Sequence, residues 1–186
     1  MAEKRDEWKI TVGDYVVYPT HGVGQISEIT TDKVAGFDIE FLVISFAKNR
    51  MTLKIPVDKI EISGLRKLST EYEIKKAVEI MRTPPQAKRM VWAKRSQEYE
   101  EKINSGEPSE IAEVVRDLYK RADRPEQSFS ERQIYEQAVS RLADEYGAIF
   151  GLPGDDAVAK IEGVLEREDK KRQAEAETGS AGQDAD

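Results

Sequence analysis

Lys88, Arg89, Lys94 and Arg95 fall inside the stretch Thr83–Arg95, which contains no acid, and Arg82 stands just ahead of it. That is a local charge of +5 in a chain of 186 residues whose formal charge is -7. Trp92 lies between the two basic dipeptides. Like charges gathered around an aromatic ring repel one another, so the arrangement adds little to a fold, whereas a polyanion gains from it. Lys and Arg neutralise phosphates and release their counterions, and a flat apolar side chain presses on or between bases. The same residues also fit a solvated basic helix start whose Trp anchors it to a core.

Catalytic chemistry finds less to work with. The chain has no cysteine and one histidine, His21, in the turn Pro-Thr-His-Gly. Thiol nucleophiles, disulfides and Cys-ligated metals are thereby excluded, and His21 has no second His to share an ion. There is no Gly-x-x-x-x-Gly-Lys loop and no Gly-x-Gly-x-x-Gly following a strand. Gly22-Val23-Gly24 reads as a backbone requirement of a β turn. The acidic pairs Glu100-Glu101 and Asp155-Asp156 are adjacent in sequence, so on a helix they face different ways and make poor acid–base couples. The expectation is a binding protein with no cofactor and no metal, not an enzyme.

The elements that position these residues follow from the patterning. No apolar run is long enough to cross a bilayer and no signal peptide opens the chain, which predicts a soluble cytoplasmic protein. Residues 1–70 are electrically neutral, 71–105 carry +2, 106–165 carry -6 and 166–186 carry -3. Residues 1–9 are expected to be flexible. From Val12 short β-branched and aromatic runs alternate with turns at Gly13-Asp14, Thr20–Gly22, Ala35-Gly36 and Lys48-Asn49. Five strands are predicted, the third central because both its faces are apolar at Leu42–Phe46, the fourth from Met51 to Ile55 and ended by Pro56, the last at Ile60–Ile62 closed by Gly64. Short strands joined by tight turns predict a small SH3-like or Tudor-like β-barrel.

Ser69/Thr70 with Glu73 is a capping-box signature opening a helix over 70–82, which Pro84-Pro85 ends. Beyond it every segment reads helical: about Met90 to Asn104, then a helix from Pro108 with its buried stripe at Ile111, Val114, Val115 and Leu118. A third helix is opened by Ser130 with Gln133 and buries Ile134, Ala138 and Leu142. After a break at Gly151–Gly154, the fourth has Asp155 and Asp156 in its first turn and Val158, Ile161 and Leu165 on its apolar face. From Arg167 apolar residues nearly vanish and disorder is expected. The fold class is therefore α+β: a small barrel over 10–68, a connecting helix and linker over 69–83, a compact all-α domain over 84–166 and an acidic tail over 167–186.

Two surfaces offer binding. The strand Arg50–Ile55, if it lies at a sheet edge, presents unpaired backbone groups for strand addition by a partner. The face Glu107, Glu110, Glu113 and Asp117 would hold DNA away and so turn residues 82–95 toward it. Lys120, Arg121 and Arg124 form a second, weaker basic cluster.

The segments Val-Gly-Asp-Tyr-Val-Val-Tyr-Pro-Thr-His-Gly-Val-Gly, Leu-Lys-Ile-Pro-Val, Gly-Leu-Arg, Val-Trp-Ala-Lys-Arg and Ile-Ala-Glu-Val-Val-Arg-Asp-Leu-Tyr occur in this order over about residues 10–165. They resemble the CarD/CdnL transcription regulators of bacteria. The first motif also resembles the polymerase-interacting domain of the transcription-repair coupling factor. The resemblance implies an N-terminal Tudor-like barrel that binds the β subunit of the sigma-containing RNA polymerase holoenzyme by strand addition. It further implies a helical domain that meets promoter DNA at the upstream edge of the melted bubble. By the same resemblance Trp92 wedges into the distorted minor groove, and Lys88, Arg89, Lys94 and Arg95 hold phosphates. The polymerase contact falls on Met51, Thr52, Leu53, Lys54, Ile55 and Pro56, with Lys54 and Pro56 foremost. This chain has Asp32 where some members use an arginine toward the polymerase, and Ser96 where an aromatic often follows the basic pair.

The expected function is thus a monomeric regulator, tethered to polymerase, that stabilises the promoter open complex. The alternative is a protein-only adapter whose barrel docks on polymerase or another partner while its helical domain leaves DNA untouched.

Overall fold

A computed structural model describes residue 8 and residues 10–86, 91–119 and 127–180 of the chain. It divides into two compact units, Met1–Ser69 and Thr70–Asp186. The first holds a five-stranded antiparallel sheet of β1 (Tyr15–Tyr18), β2 (Gly22–Val34), β3 (Phe37–Phe46), β4 (Met51–Pro56) and β5 (Arg66–Lys67), in the order β4-β3-β2-β1-β5. The hairpin between β2 and β3 turns on Ala35 (φ 52°) and Gly36 (φ 85°). Two consecutive left-handed residues are the backbone of a type I′ turn, whose twist matches that of the strands it joins. The β2–β3 register slips by one residue between Ile26 and Glu28, and the extra residue, Ser27, donates its hydroxyl to the Val43 carbonyl at 3.1 Å.

One face of the sheet closes over a core of Val16, Ile26, Leu42, Ile44, Phe46 and Ile55. As expected, β3 lies inside the sheet, but only one of its faces is sealed: Leu42, Ile44 and Phe46 are buried while Ser45 is exposed. Trp8 and Ile10 pack on this core, so the start of the chain is anchored further back than its charge pattern predicts. Residues 1–7 and 9 lie outside the described set.

The fifth strand is a correction. Ile60–Ile62 is not a strand. After Pro56 the chain makes a 3-10 turn (Val57–Lys59) and one helical turn, α1 (Ile60–Ser63), closed by Gly64 at φ 73°. Val57 and Ile60, three residues apart, are the buried pair, while Ile62 points outward. The alternation Ile-Glu-Ile loses to that helical spacing. The sheet is completed instead by the two residues of β5 on β1.

Gly24 is needed for space, not for a positive φ. A Cβ there would lie 2.6 Å from Ile44 Cγ2 and 2.8 Å from Phe46 Cε1. Both of those side chains are fully buried, so neither can step aside. Gly22, at φ 78°, is the one whose backbone conformation requires glycine.

The second unit consists of α2 (Glu71–Arg82), α3 (Trp92–Ser105), α4 (Pro108–Leu118), α5 (Phe129–Phe150) and α6 (Gly154–Ser180). Thr70 caps α2, receiving the Glu73 N–H on its hydroxyl while the Glu73 carboxylate takes the Thr70 N–H. The stripe Ile111, Val114, Val115 and Leu118 is buried against Ile74, Ala77, Met81, Ile103, Ile134, Ala138, Leu142 and Ile161. The helix expected to connect two domains belongs to this core through Ile74, Ala77 and Met81.

Two helix boundaries differ from the sequence reading. The cap of α5 is Ser128, not Ser130: the Glu131 carboxylate takes the Ser128 N–H at 3.0 Å, and the Ser128 hydroxyl receives the Glu131 N–H. Ser-x-x-Glu offers the stronger acceptor, and it outcompetes Ser-x-x-Gln two residues later. The tail is also more ordered than its composition suggests, since α6 continues to Ser180. Apolar burial ends at Leu165, but the segment beyond is rich in residues with high helix propensity and is laced by spaced pairs. Lys170 reaches Glu166 at 2.8 Å and Gln173 reaches Asp169 at 2.8 Å.

Two stability measurements check these packing arguments. Gly24→Ala is expected to destabilise the first unit by ~1–3 kcal/mol in denaturant melts, the usual cost of overfilling a packed core. Ser128→Ala is expected to cost about 1 kcal/mol of the second unit's stability, the worth of an N-cap, and Ser130→Ala a few tenths at most. Equal losses at the two serines would return the cap to Ser130.

Candidate functional site

Trp92 is the first residue of α3, behind Val91, the N-cap. Val91 has no side chain to offer the free N–H groups of the first turn, no acid stands there, and Lys94 and Arg95 do. Helix N-termini favour acids and disfavour cations, so this start works against its own dipole. The Trp92 ring is half-buried, one side against the core of the second unit. The Arg95 guanidinium sits over it, 5.1 Å from Cζ to the ring centroid. Val91 is 75% exposed and Lys94 projects outward.

Arg95 has a second role. Its Nη2 donates to Glu131 Oε1 at 3.0 Å, and the two side chains are only 23% and 24% exposed. That joins the first turn of α3 to the first turn of α5 and compensates the Arg95 charge. Arg82 lies 3.3 Å from Glu79 on its own helix. Of the basic residues of this stretch that lie in the described region, Arg82 and Lys94 are exposed, Arg82 with Glu79 as its partner; Lys88 and Arg89 lie outside it, as do Lys120, Arg121 and Arg124. Beside Trp92, between α3 and α5, runs a groove of about 600 Å³ lined by Ser96, Glu100, Ser130, Gln133 and Gln137. One turn further on, burial pushes the Tyr99 phenol up to about 12, with the Asp117 carboxylate adding to the shift and Arg95 opposing it.

The acidic face expected on α4 is interrupted. Glu107 and Glu110 are exposed, but Glu113 is paired with Lys102. The Asp117 side chain is only 5% exposed, accepting from Arg116 Nε at 2.8 Å and from the Gln86 N–H at 3.0 Å. Asp117 therefore works as an internal acceptor and contributes no repulsive surface. Its spacing on the helix puts it near the stripe edge, and sequence alone does not separate that from an outward carboxylate.

In the first unit, Met51–Pro56 form β4, which within the sheet pairs with β3 alone. Ile55 is buried, Thr52 and Lys54 face outward, and Pro56 ends the strand without a donor. Lys54 is ion-paired with Asp32 of β2 and lies over the Phe41 ring of β3, 4.9 Å from its centroid. The three residues come from three neighbouring strands. Sequence reading noted Asp32 only as a replaced arginine; its role as the counter-ion of Lys54 depends on the register of two strand pairs. His21 stacks on Tyr18 with ring centroids 5.5 Å apart and meets Phe46 edge-on at 5.5 Å, which makes it a packed aromatic. Among the described residues no group of His, Asp or Glu is arranged to hold a metal ion, and no helix is long and apolar enough to cross a membrane.

Comparison with known proteins matches both units. Residues 10–69 fit the CarD-like/TRCF RID domain and residues 76–162 fit the CarD C-terminal domain. The candidate transcription factor YdeB of Bacillus subtilis (strain 168) is 30% identical over 141 residues, spanning 76% of this chain and 92% of that protein. The solution structure of the 72-residue N-terminal domain of Myxococcus xanthus CarD is 34% identical over 31% of this chain and 77% of that one, with a TM-score of 0.28. Two domain signatures in one chain, in the order in which the motifs were met, together with a full-length relative, place this protein in the CarD family of transcription factors.

Proposed function

We propose that the protein binds the β subunit of RNA polymerase along the outer edge of β4 and stabilises the promoter open complex with Trp92. The observation that carries the second half is the start of α3. An uncapped helix end without an acid, holding Lys94 outward and a half-exposed Trp, breaks local stability rules that the capping boxes of α2 and α5 obey. Such breaks concentrate where a partner completes the structure. An incoming phosphate supplies the negative charge that the free N–H groups and Lys94 call for. In this reading Arg95 orients the Trp92 ring, Lys94 engages phosphate directly, and Lys88 and Arg89 add charge from the neighbouring sequence.

Position in the sheet supports the first half. A terminal strand offers alternate N–H and C=O groups to an added strand, and its outward side chains, Thr52 and Lys54 here, set specificity. The chain's overall charge of -7 suits recruitment through a protein contact better than capture by duplex DNA. A wedge gains free energy only where bases are already unstacked, because separating them costs a few kcal/mol per step. The protein would thus act by preferring the melted state and shifting that equilibrium.

The test is open-complex lifetime on a ribosomal RNA promoter, read beside a polymerase pull-down. Trp92→Ala is expected to keep polymerase binding and shorten the lifetime roughly tenfold, the scale of one lost base–aromatic stack. Unchanged lifetime removes the wedge and favours the adapter reading, to which the compensation of Arg95 by Glu131 lends some support. Lys54→Glu is expected to lose the pull-down and, with it, the lifetime effect. That substitution also sets a carboxylate beside Asp32, so the double variant Asp32→Lys/Lys54→Glu separates the causes. Restored binding in the swap would assign the loss to the broken pair and not to a direct Lys54 contact.

A further inference from the structure

Arg172 lies beyond residue 162, where the match to the CarD C-terminal domain ends, yet it reaches back to the threshold of the basic stretch. Its Nη2 donates to the carbonyls of Arg82 and Thr83, each at 3.2 Å. Those carbonyls close α2, where backbone acceptors lack intrahelical partners and a cation is favoured by the dipole. Thr83 is extended; its N–H and its hydroxyl both go to the Ile80 carbonyl, at 3.1 and 2.7 Å. The same hydroxyl accepts from Arg116 Nη1 at 2.9 Å. Pro84 and Pro85 follow, with no N–H and with φ fixed by their rings. The Gln86 N–H then goes to Asp117, whose carboxylate is held by Arg116.

Every backbone donor from Thr83 to Gln86 is therefore engaged, and the prolines supply none. The segment is a strap, tied at its start by Arg172 and Arg116 and at its end by Asp117. Arg116 and Asp117 are each 5% exposed, so their end of the strap is built into the core. Arg172 is different: it is half-exposed, past the last buried apolar residue of α6, Leu165, and it reaches across to the end of α2.

We propose that Arg172 is a positioning residue for DNA engagement, resting on the function proposed above: the extension of α6 fixes the strap that delivers the chain to Trp92. Lys88 and Arg89 stand two and three residues after Gln86 in the sequence, and Trp92 six. Fixing the strap narrows the positions open to the chain that follows it in sequence, so less freedom is lost when basic residues of the stretch engage phosphates. This chain would obtain the effect from residues outside its matched family domains.

The experiment uses the full-length chain with Arg172→Ala, Arg172→Lys, Trp92→Ala and the double variant Arg172→Ala/Trp92→Ala. Amide exchange by NMR reads the strap; open-complex lifetime reads the DNA side; thermal melting and the polymerase pull-down serve as controls. Arg172→Ala is expected to speed exchange at Thr83, the strap amide beside the carbonyls Arg172 binds, while leaving core amides of α4 and α5 and the melting temperature unchanged. It should shorten the lifetime roughly two- to tenfold, the span of a mutation that acts through packed neighbours. Arg172→Lys, which keeps one cationic donor, should restore most of both effects, and Arg172→Ala should add little on top of Trp92→Ala. Unchanged exchange at Thr83 overturns the strap. Faster exchange with an unaltered lifetime, while Trp92→Ala shortens it, overturns the link to DNA. If Trp92→Ala has no effect either, the proposed function falls and takes that link with it, and exchange alone decides whether Arg172 holds the strap.

Discussion

Glu131 performs two tasks with one carboxylate. Its Oε2 closes the capping box of α5 by accepting the Ser128 N–H and hydroxyl, each at 3.0 Å, and its Oε1 takes Arg95. The cap fixes where α5 begins, and the ion pair then fixes where α3 begins relative to it. Arg95, so held, covers the Trp92 ring. The orientation of the aromatic thus depends on a helix cap two elements away. Because the pair is three-quarters hidden from water, screening weakens it less than it would a surface pair. Leaving either partner alone would strand a charge in a partly dry place, and that cost enforces the geometry more firmly than the attraction itself.

The two units handle their charged residues differently. In the first, Lys54 and Asp32 are both about half exposed, so their attraction is modest and mainly chooses a rotamer. What the pair does is hold an ammonium over Phe41 beside a strand edge instead of letting it sweep through solvent. In the second unit, the Arg116 and Asp117 side chains are buried; Asp117 accepts the Gln86 backbone N–H and Arg116 donates to the Thr83 hydroxyl, which is where such pairs become structurally decisive. A reading of charge from sequence treats all four residues alike. Burial is what separates a residue that presents charge from one that organises a chain segment.

That difference also explains what was legible. The strand Met51–Pro56 was bounded by a turn and a proline, and Ser69/Thr70 with Glu73 marked the start of its helix to within a residue, because turns, prolines and capping boxes are local chemistry. The Ile111–Leu118 stripe needed only one helical period. Failures came where a local signal had a nearby competitor or a distant answer. Ile60–Ile62 alternates like a strand, but Val57 and Ile60 bury on a helical spacing. Ser130-Gln133 loses to Ser128-Glu131. Residues past Arg167 lack an apolar face, yet Ala, Glu, Lys and Arg sustain a helix whose Arg172 finds acceptors ninety residues back. The two candidate surfaces were located by type and spacing; the counter-ions that orient them, Asp32 and Glu131, were not, since each comes from a different element.

If the protein acts on melted DNA through polymerase, as proposed, its own electrostatics are constrained. A strongly basic surface would hold it on any duplex, where nonspecific sites vastly outnumber promoters. An overall negative chain avoids that outcome, and several cations around Trp92 are compensated locally. Arg82 and Arg95 are compensated by Glu79 and Glu131, and Lys102 by Glu113. Lys94 is left outward at a helix start that repels it. On the proposed function, the positive charge offered to DNA would come from a few residues around one ring, and a prior protein contact would let so few suffice by raising their effective concentration.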